Sequence, residues 1–351
     1  EEQQKAAAHQ LRQIIVVLTK GMLSDQLAFV GIAKDTLTIA DLWWIYQHRI
    51  GRGKIGGKAA GMMLARAILD KAEPSDPVRF ADIVSIPVSH FLGADVHYEF
   101  LARNDMSAIV NFKYLPIEAA RLEYPRLVER MLAGKIPERF VDQLRTIVED
   151  AGSTPLIVRS SSLLEDSLGL SFAGKYDSYF CPNQGNVADN LAVLCDAIKR
   201  VYAGVMAPDP IIYRQQNGLI DYDERMGILI QRVEGAVHGG YFFPAVAGVG
   251  FSHAPLSWNP RIDREQGFLR IVAGMGTRAV DRLANDYAQM VALSHPTLRT
   301  TKSTRERIQY AQRFVDVINL RENQLETRRV DEVFDTKYPH LRHIACMEEG
   351  G

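Results

Sequence analysis

Residues 155–178 read PLIVRSSSLLEDSLGLSFAGKYDS. A short apolar run, Leu156–Val158, follows a proline and has the length and bounds of a buried strand. Arg159 and three serines, Ser160 to Ser162, come directly after it. An acidic pair, Glu165 and Asp166, leads into a glycine-punctuated loop, Gly169 to Gly174, and then into Lys175, Tyr176 and Asp177. A strand that brings a guanidinium and several hydroxyls to a glycine loop can hold polyphosphate. Arginine meets phosphate oxygens through two donors at once, and glycine lets backbone N–H groups come close. The same residues also describe a surface loop in which the arginine is ion-paired and the serines satisfy turns.

Upstream, Gly51–Lys58 reads GRGKIGGK, ahead of a helix implied by Ala60, Met63, Leu64, Ala67 and Ile68. A glycine turn feeding a helix N-terminus presents free N–H groups and the positive end of the dipole to an anion. It is not a Walker A loop, because the glycine–lysine spacing and the following Ser or Thr are absent. The apolar strand Met226–Val233 carries a glutamine, Gln231, before Arg232 near its end, and Gln231 is either a ligand contact or a cross-strand hydrogen bond.

The segment 158–178, VRSSSLLEDSLGLSFAGKYDS, resembles the nucleotide-binding segment of the pyruvate phosphate dikinase and phosphoenolpyruvate synthase family, whose ATP module rifampin phosphotransferases and glucan water dikinases share. Matches stand in the family's order on both sides: Gly56-Gly57-Lys58, then IPVSHFLGADVHYEFL from Ile86 to Leu101, ILIQRV from Ile228 to Val233, and GVGF from Gly248 to Phe251. The resemblance implies an α+β fold, an ATP-grasp-like nucleotide-binding module with mixed sheets and flanking helices. It implies that Lys58 and Arg159 contact ATP phosphates, that Gly174 and Ser178 hold them with backbone and hydroxyl groups, and that Gln231 binds the nucleotide. Gly274-Met275-Gly276-Thr277 resembles a glycine-rich element that ends in glutamate in the family, so Thr277 puts that carboxylate in doubt. The family's carboxylate pair for Mg²⁺ has no match before Gly351, so the ligands for that metal are expected outside this chain and none is assigned within it. A phosphohistidine domain and an acceptor-binding domain of a longer protein are the implied partners, with pyruvate or another compound as acceptor. A non-catalytic nucleotide sensor built on the same fold is the alternative, and a scaffold that has lost the ligand is another.

With 351 residues, of which 47% are hydrophobic, the chain can bury a sizeable core. A net charge of −1 gives no global basic field, so nucleic acid is not an expected partner. Cys181, Cys195 and Cys346 are widely spaced and include no CxxC pair, which fits a reduced, cytoplasmic setting. The apolar run Ile14–Leu18 is too short to span a bilayer. The chain starts at Glu1 without methionine and stops at Gly350-Gly351, which reads as a fragment of a longer protein.

The expected organisation is an N-terminal helical segment over 1–50, a first subdomain with the Gly-Gly-Lys loop over 51–151, and a nucleotide-binding subdomain over 152–299. A charged helical segment over 300–351 follows, its helix marked by Ile308, Ala311, Val315 and Ile318. Leu11, Ile14, Ile15, Leu18 and Met22 predict an amphipathic N-terminal helix. Asp41 is expected to open a second helix whose aromatics, Trp43, Trp44 and Tyr46, face the core and which Gly51 ends. Lys54 reads as a solvated loop charge, and Tyr241–Phe251 and Phe268–Ala273 as further strands of the nucleotide-binding half.

Overall fold

A computed structural model describes residues 2–72, 80–165, 174–254, 257–280, 286–301 and 303–344. It is an α+β chain that divides by contacts into two compact units, Glu1–Val233 and Glu234–Gly351. That division falls between Val233 and Glu234, whereas the composition changes lie near 152 and 299.

The first unit is built on a five-stranded sheet. In chain order its strands are β1 (Arg49–Ile50), β2 (Ser89–Leu92), β3 (Leu156–Ser162), β4 (Ser178–Cys181) and β5 (Met226–Arg232), arranged β1-β2-β5-β3-β4. Only the β1–β2 pair is parallel. β5 has a strand on each side and helices over both faces, so nearly every residue in it is buried and its sequence is a continuous apolar run rather than an alternating one. The pleat sorts its residues to opposite faces. Ile228 and Ile230 join a core with Phe140, Leu144, Ile147 and Leu194, from the helices Glu138–Ala151 and Val187–Gly204. Leu229 and Phe91 of β2 join a second core on the other face, made by the N-terminal helices. Each such fully buried side chain contributes about 2 kcal/mol of burial free energy.

Those N-terminal helices are α1 (Glu2–Met22), α2 (Leu27–Thr36), α3 (Ile39–Gln47) and α4 (Gly57–Lys71). α1 forms where the apolar periodicity predicts it. In α3 the cap is Thr38, not Asp41: Thr38 Oγ1 accepts from the Asp41 N–H while the Asp41 carboxylate accepts from the Thr38 N–H, a capping box. The helix ends at Gln47, four residues before Gly51. Its aromatics are not all core. Leu42 and Ile45 point inward, Trp44 is half-buried against Phe91, and Trp43 and Tyr46 lie on the outer stripe, 58% and 54% exposed. Lys54 is not a loose charge either, since its ammonium meets Asp25 Oδ2 at 2.7 Å.

The second unit holds two antiparallel sheets. The strands β6 (Ala236–His238), β7 (Tyr241–Phe243), β8 (Val246–Phe251), β9 (Phe268–Ala273), β10 (Gln289–Ala292), β11 (Phe314–Asn319) and β12 (Gln324–Arg329) are ordered β10-β9-β8 and β12-β11-β7-β6. The expected strands at 241–251 and 268–273 are therefore present, but they belong to this unit and not to the sheet of β3. The expected helix through Val315 and Ile318 is a β-hairpin instead. Val315, Asp316, Val317 and Ile318 are buried in succession, which a strand covered on both faces permits and a helix with one solvated face does not.

Candidate functional site

The Gly-Gly-Lys loop rests on the end of β3. Gly56, at φ +86°, leaves no room for a side chain, because a Cβ there would lie 1.5 Å from the Ser161 carbonyl oxygen. A Cβ on Gly57 would lie 1.7 Å from the Glu165 carbonyl. Two glycines in sequence are what let α4 begin in direct contact with the backbone that follows β3. The α4 backbone is then fastened there, with Ala59 N–H donating to Ser161 Oγ at 3.0 Å.

Lys58, the second residue of α4, reaches the same turn. Its ammonium lies 2.6 Å from Glu165 Oε1 and donates to Ser160 Oγ at 3.2 Å. Glu165 is 3% exposed. It also accepts from the Ser160 hydroxyl and the Ser162 N–H, each at 3.2 Å. Lys58 keeps a fifth of its side chain accessible, so it is the solvent-facing member of an otherwise buried cluster. The three serines are fully buried. They do not offer hydroxyls to a ligand as their sequence context suggests: Ser161 takes the Ala59 N–H, and Ser162 Oγ accepts from the Leu164 and Glu165 N–H groups at 3.2 and 3.0 Å.

Three of the remaining predicted residues are placed by strand register. In the antiparallel pairs Arg159 stands opposite Leu229 and Ser178, and Gln231 stands opposite Ser89 and Ile157. Directly opposed residues share a face, so Arg159, Ser178 and Gln231 all project on the α4 side of the sheet. Arg159 Nη1 donates to Gln231 Oε1 at 3.3 Å. Gln231 is 5% exposed and donates its Nε2 to Ser89 Oγ at 3.0 Å, with Met62 Sδ of α4 at 3.4 Å. Ser178 is exposed at the start of β4. Gly174 is exposed at φ +69°, four residues earlier. The Asp166 and Ser-Phe-Ala part of the glycine loop, 166–173, lies outside the described residues.

Sequence reasoning gave Glu165 no role. The ED pair signals charge, but only the folded backbone shows that Glu165 turns inward to meet Lys58.

The second unit holds a different charge cluster. Arg278 lies 3.0 Å from Asp316 Oδ1 and 2.5 Å from Asp286 Oδ2, and all three side chains are largely buried. The Thr277 and Thr327 hydroxyls donate to Asp316 at 2.5 and 2.6 Å, and the Arg313 N–H donates to Asp286 at 2.9 Å. Thr277, where the resemblance expects a glutamate, thus serves a carboxylate instead of supplying one. No group of three or more His, Cys, Asp or Glu that could hold a metal ion occurs among the described residues, and Asp286 and Asp316 are both paired with Arg278.

A glycine loop lays a lysine over a buried strand end, with an arginine on the adjoining sheet face, an arrangement able to receive an anion. Residues 52–349 match the pyruvate phosphate dikinase, AMP/ATP-binding domain family, and the chain belongs to it. The chain is 28% identical over 235 residues to the rifampicin phosphotransferase of Streptomyces sviceus, a match covering 66% of this chain and 24% of that protein. It is 30% identical over 119 residues to the rifampicin phosphotransferase of Bacillus subtilis, covering 34% and 11%. A third rifampicin phosphotransferase, from Bacillus cereus, is 28% identical over 135 residues, 38% of this chain and 14% of that protein. The chain spans about a quarter or less of the curated relatives it matches. Among the described residues, no helix is long and apolar enough to cross a membrane.

Proposed function

We propose that this chain is an ATP-grasp-like nucleotide-binding module of a dikinase-type phosphotransferase. Lys58 and Arg159 neutralise the polyphosphate, Gly174 and Ser178 contact it through backbone and hydroxyl groups, and Gln231 completes the nucleotide site while holding the Arg159 guanidinium in place. The observation that carries this reading is Lys58 itself: an ammonium brought by two glycines onto a strand end, still partly accessible, with Arg159 on the same face of the sheet. Phosphoryl transfer depends chiefly on positioning and charge neutralisation, and these residues supply both for the ground-state nucleotide. In the longer protein, ATP would phosphorylate a histidine on a separate domain that passes the group to an acceptor. Pyruvate is one such acceptor, and an antibiotic of the kind named for the relatives is another. Mg²⁺ would enter with the nucleotide or from residues outside this chain.

Calorimetric titration of Mg·ATP tests the reading. Lys58→Ala and Arg159→Ala should each weaken binding by about tenfold, roughly 1.4 kcal/mol. Unchanged affinity in both variants sinks the phosphate assignment. A second reading, a nucleotide sensor that binds without transferring, draws on the neutralised Asp286 and Asp316. It expects ATP binding of the same strength but no phosphoenzyme when [β-³²P]ATP is given to a longer chain.

A further inference from the structure

Residues 217–225 lead from the helix Pro208–Gln216 into β5 and are pinned along one side. The Tyr114 hydroxyl donates to Asp221 at 3.1 Å, the Lys113 ammonium to the Tyr222 carbonyl at 3.2 Å, and the Tyr98 hydroxyl to Asp223, which also accepts from Arg225 Nε at 2.8 Å. Glu224, within the same run, turns inward. It is 7% exposed, and although the Ser162 hydroxyl and the Leu164 backbone lie near its carboxylate, neither oxygen has a hydrogen bond of good geometry. Near it lies Arg214, fully buried, which donates Nη2 to the Val205 carbonyl at 2.6 Å and Nε to the Pro210 carbonyl at 3.4 Å while its Nη1 has no partner. A buried carboxylate and a buried guanidinium, each incompletely satisfied, are a costly combination that packing alone does not call for.

The groups facing Glu224 come from every side of the site. Ser162 and the Leu164 backbone lie at the end of β3, Glu165 in the turn beyond, Arg214 on its helix, and Tyr176 on the segment entering β4. Burial pushes the Glu224 carboxyl up to about 7. The Ser162 hydroxyl and Arg214 oppose that rise, Glu165 adds to it, and the Leu164 backbone opposes it. Burial first, and then Glu224, hold the Tyr176 phenol well above its usual range.

We propose that Glu224 is a proton-bearing positioning residue of the nucleotide site, which ties anion binding at Lys58 to proton uptake behind the Ser162–Glu165 turn. This rests on the nucleotide reading given above. Lys58 is bridged to Glu165, so a polyphosphate must share or take that ammonium. Glu165 then loses its ammonium while buried. If Glu224 is ionised, a second negative charge stands beside it. If Glu224 holds a proton, that second charge is absent. The protonated form therefore accepts the anion more readily, and the proton comes from solvent with no other bond made or broken.

Two measurements on the full chain, as wild type and as Glu224→Gln, test this. The first is the thermal midpoint of the nucleotide-free protein from pH 5 to 8.5. The folded-state carboxyl keeps its proton up to about 7 whereas a glutamate in the unfolded chain loses it near 4.5, so the native state binds more protons between those values. Wild type should then lose stability as pH rises through that window and level off above it. Glu224→Gln should lack this component and have the higher midpoint at pH 8. The second is Mg·ATP affinity at pH 6.5 and 8, where wild type should weaken by about fivefold more than Glu224→Gln. Wild type alone gives a third check: binding at pH 7.5 should take up a fraction of a proton, roughly a half, from calorimetry in two buffers of different ionisation enthalpy. Matching pH profiles for the two proteins overturn the proposal while leaving the nucleotide site intact. A stability difference with identical pH dependence of affinity overturns the coupling. Absence of binding by either protein at any pH overturns it through the nucleotide reading itself, and is seen as missing heat rather than as matched profiles.

Discussion

Lys58 and Arg278 both meet carboxylates away from bulk water, and they are held in opposite ways. Lys58 has one carboxylate, Glu165, at 2.6 Å and part of its side chain in solvent. Arg278 is clamped between two carboxylates, and those in turn are served by two threonine hydroxyls and a backbone N–H. A single-headed ammonium with one carboxylate and one hydroxyl as partners can exchange the carboxylate for a ligand oxygen. A guanidinium whose fork is divided between two buried acids cannot do so without leaving both uncompensated. The first arrangement is suited to binding and the second to fastening β11 and β12 to the short helix Thr277–Val280. The number and accessibility of partners, more than the presence of charge, separate a candidate ligand contact from a structural clamp.

The comparison breaks most easily at the clamp. Arg278→Met should cost about 3–5 kcal/mol of unfolding free energy, because Asp286 and Asp316 are left buried without their cation. Urea denaturation would show it, and a loss below 1 kcal/mol would mean the clamp is not what holds that unit. Lys58→Met should cost less, about 1–2 kcal/mol at pH 7, since the Ser160 hydroxyl and Ser162 N–H still serve Glu165. Its pH dependence gives the sharper reading. A buried carboxylate that has lost its cation shifts toward its protonated form, so the variant's deficit should be small near pH 5 and grow as pH rises; a deficit independent of pH would mean the Lys58–Glu165 pair contributes through packing alone. The smallest effect is in Glu165→Gln, which releases Lys58 from its ion pair. Mg·ATP should bind this variant about two- to fivefold more tightly, under roughly 1 kcal/mol. Weaker binding would indicate that Glu165 orients Lys58 rather than competing for it.

How much of this was legible in the sequence follows from how local each signal is. The strand that starts at Leu156, the glycine loop before α4 and the buried strand around Gln231 are written in consecutive residues and appear where the pattern starts them, although β3 runs four residues beyond the apolar run Leu156–Val158, through Arg159 and the three serines. Lys58 and Arg159 stand out because cations beside glycines and serines are a chemical signature within one segment. Glu165 did not, because its importance comes from a partner 107 positions away. The three serines misled for the related reason that a hydroxyl in sequence does not say whether it faces ligand or backbone. Ile308, Ala311, Val315 and Ile318 satisfy a helical period, yet the run from Val315 to Ile318 is buried at every position, and a short apolar run of that kind does not distinguish strand from helix. The aromatics of α3 were assigned inward by composition, although Trp43 and Tyr46 fall on the stripe opposite Leu42 and Ile45.

β5 lies between β2 and β3 and bonds to both, so the two halves of the first sheet are joined only by residues 226–232. On a ribosome delivering this chain from its N-terminus, β2 and the Lys58 loop are made early, and β3 with Arg159 soon after. β2 has β1 on one side and β3 soon gains β4, but neither can pair with β5 until more than sixty residues beyond β3 have been added, an estimate that follows from the spacing of β3 and β5 and from vectorial synthesis. Through that interval the edges of β2 and β3 that β5 will cover have unpaired amides, and long-range pairings of this kind close slowly. The nascent chain is most exposed to mispairing and to chaperone capture there, until β5 is free to pair with both strands.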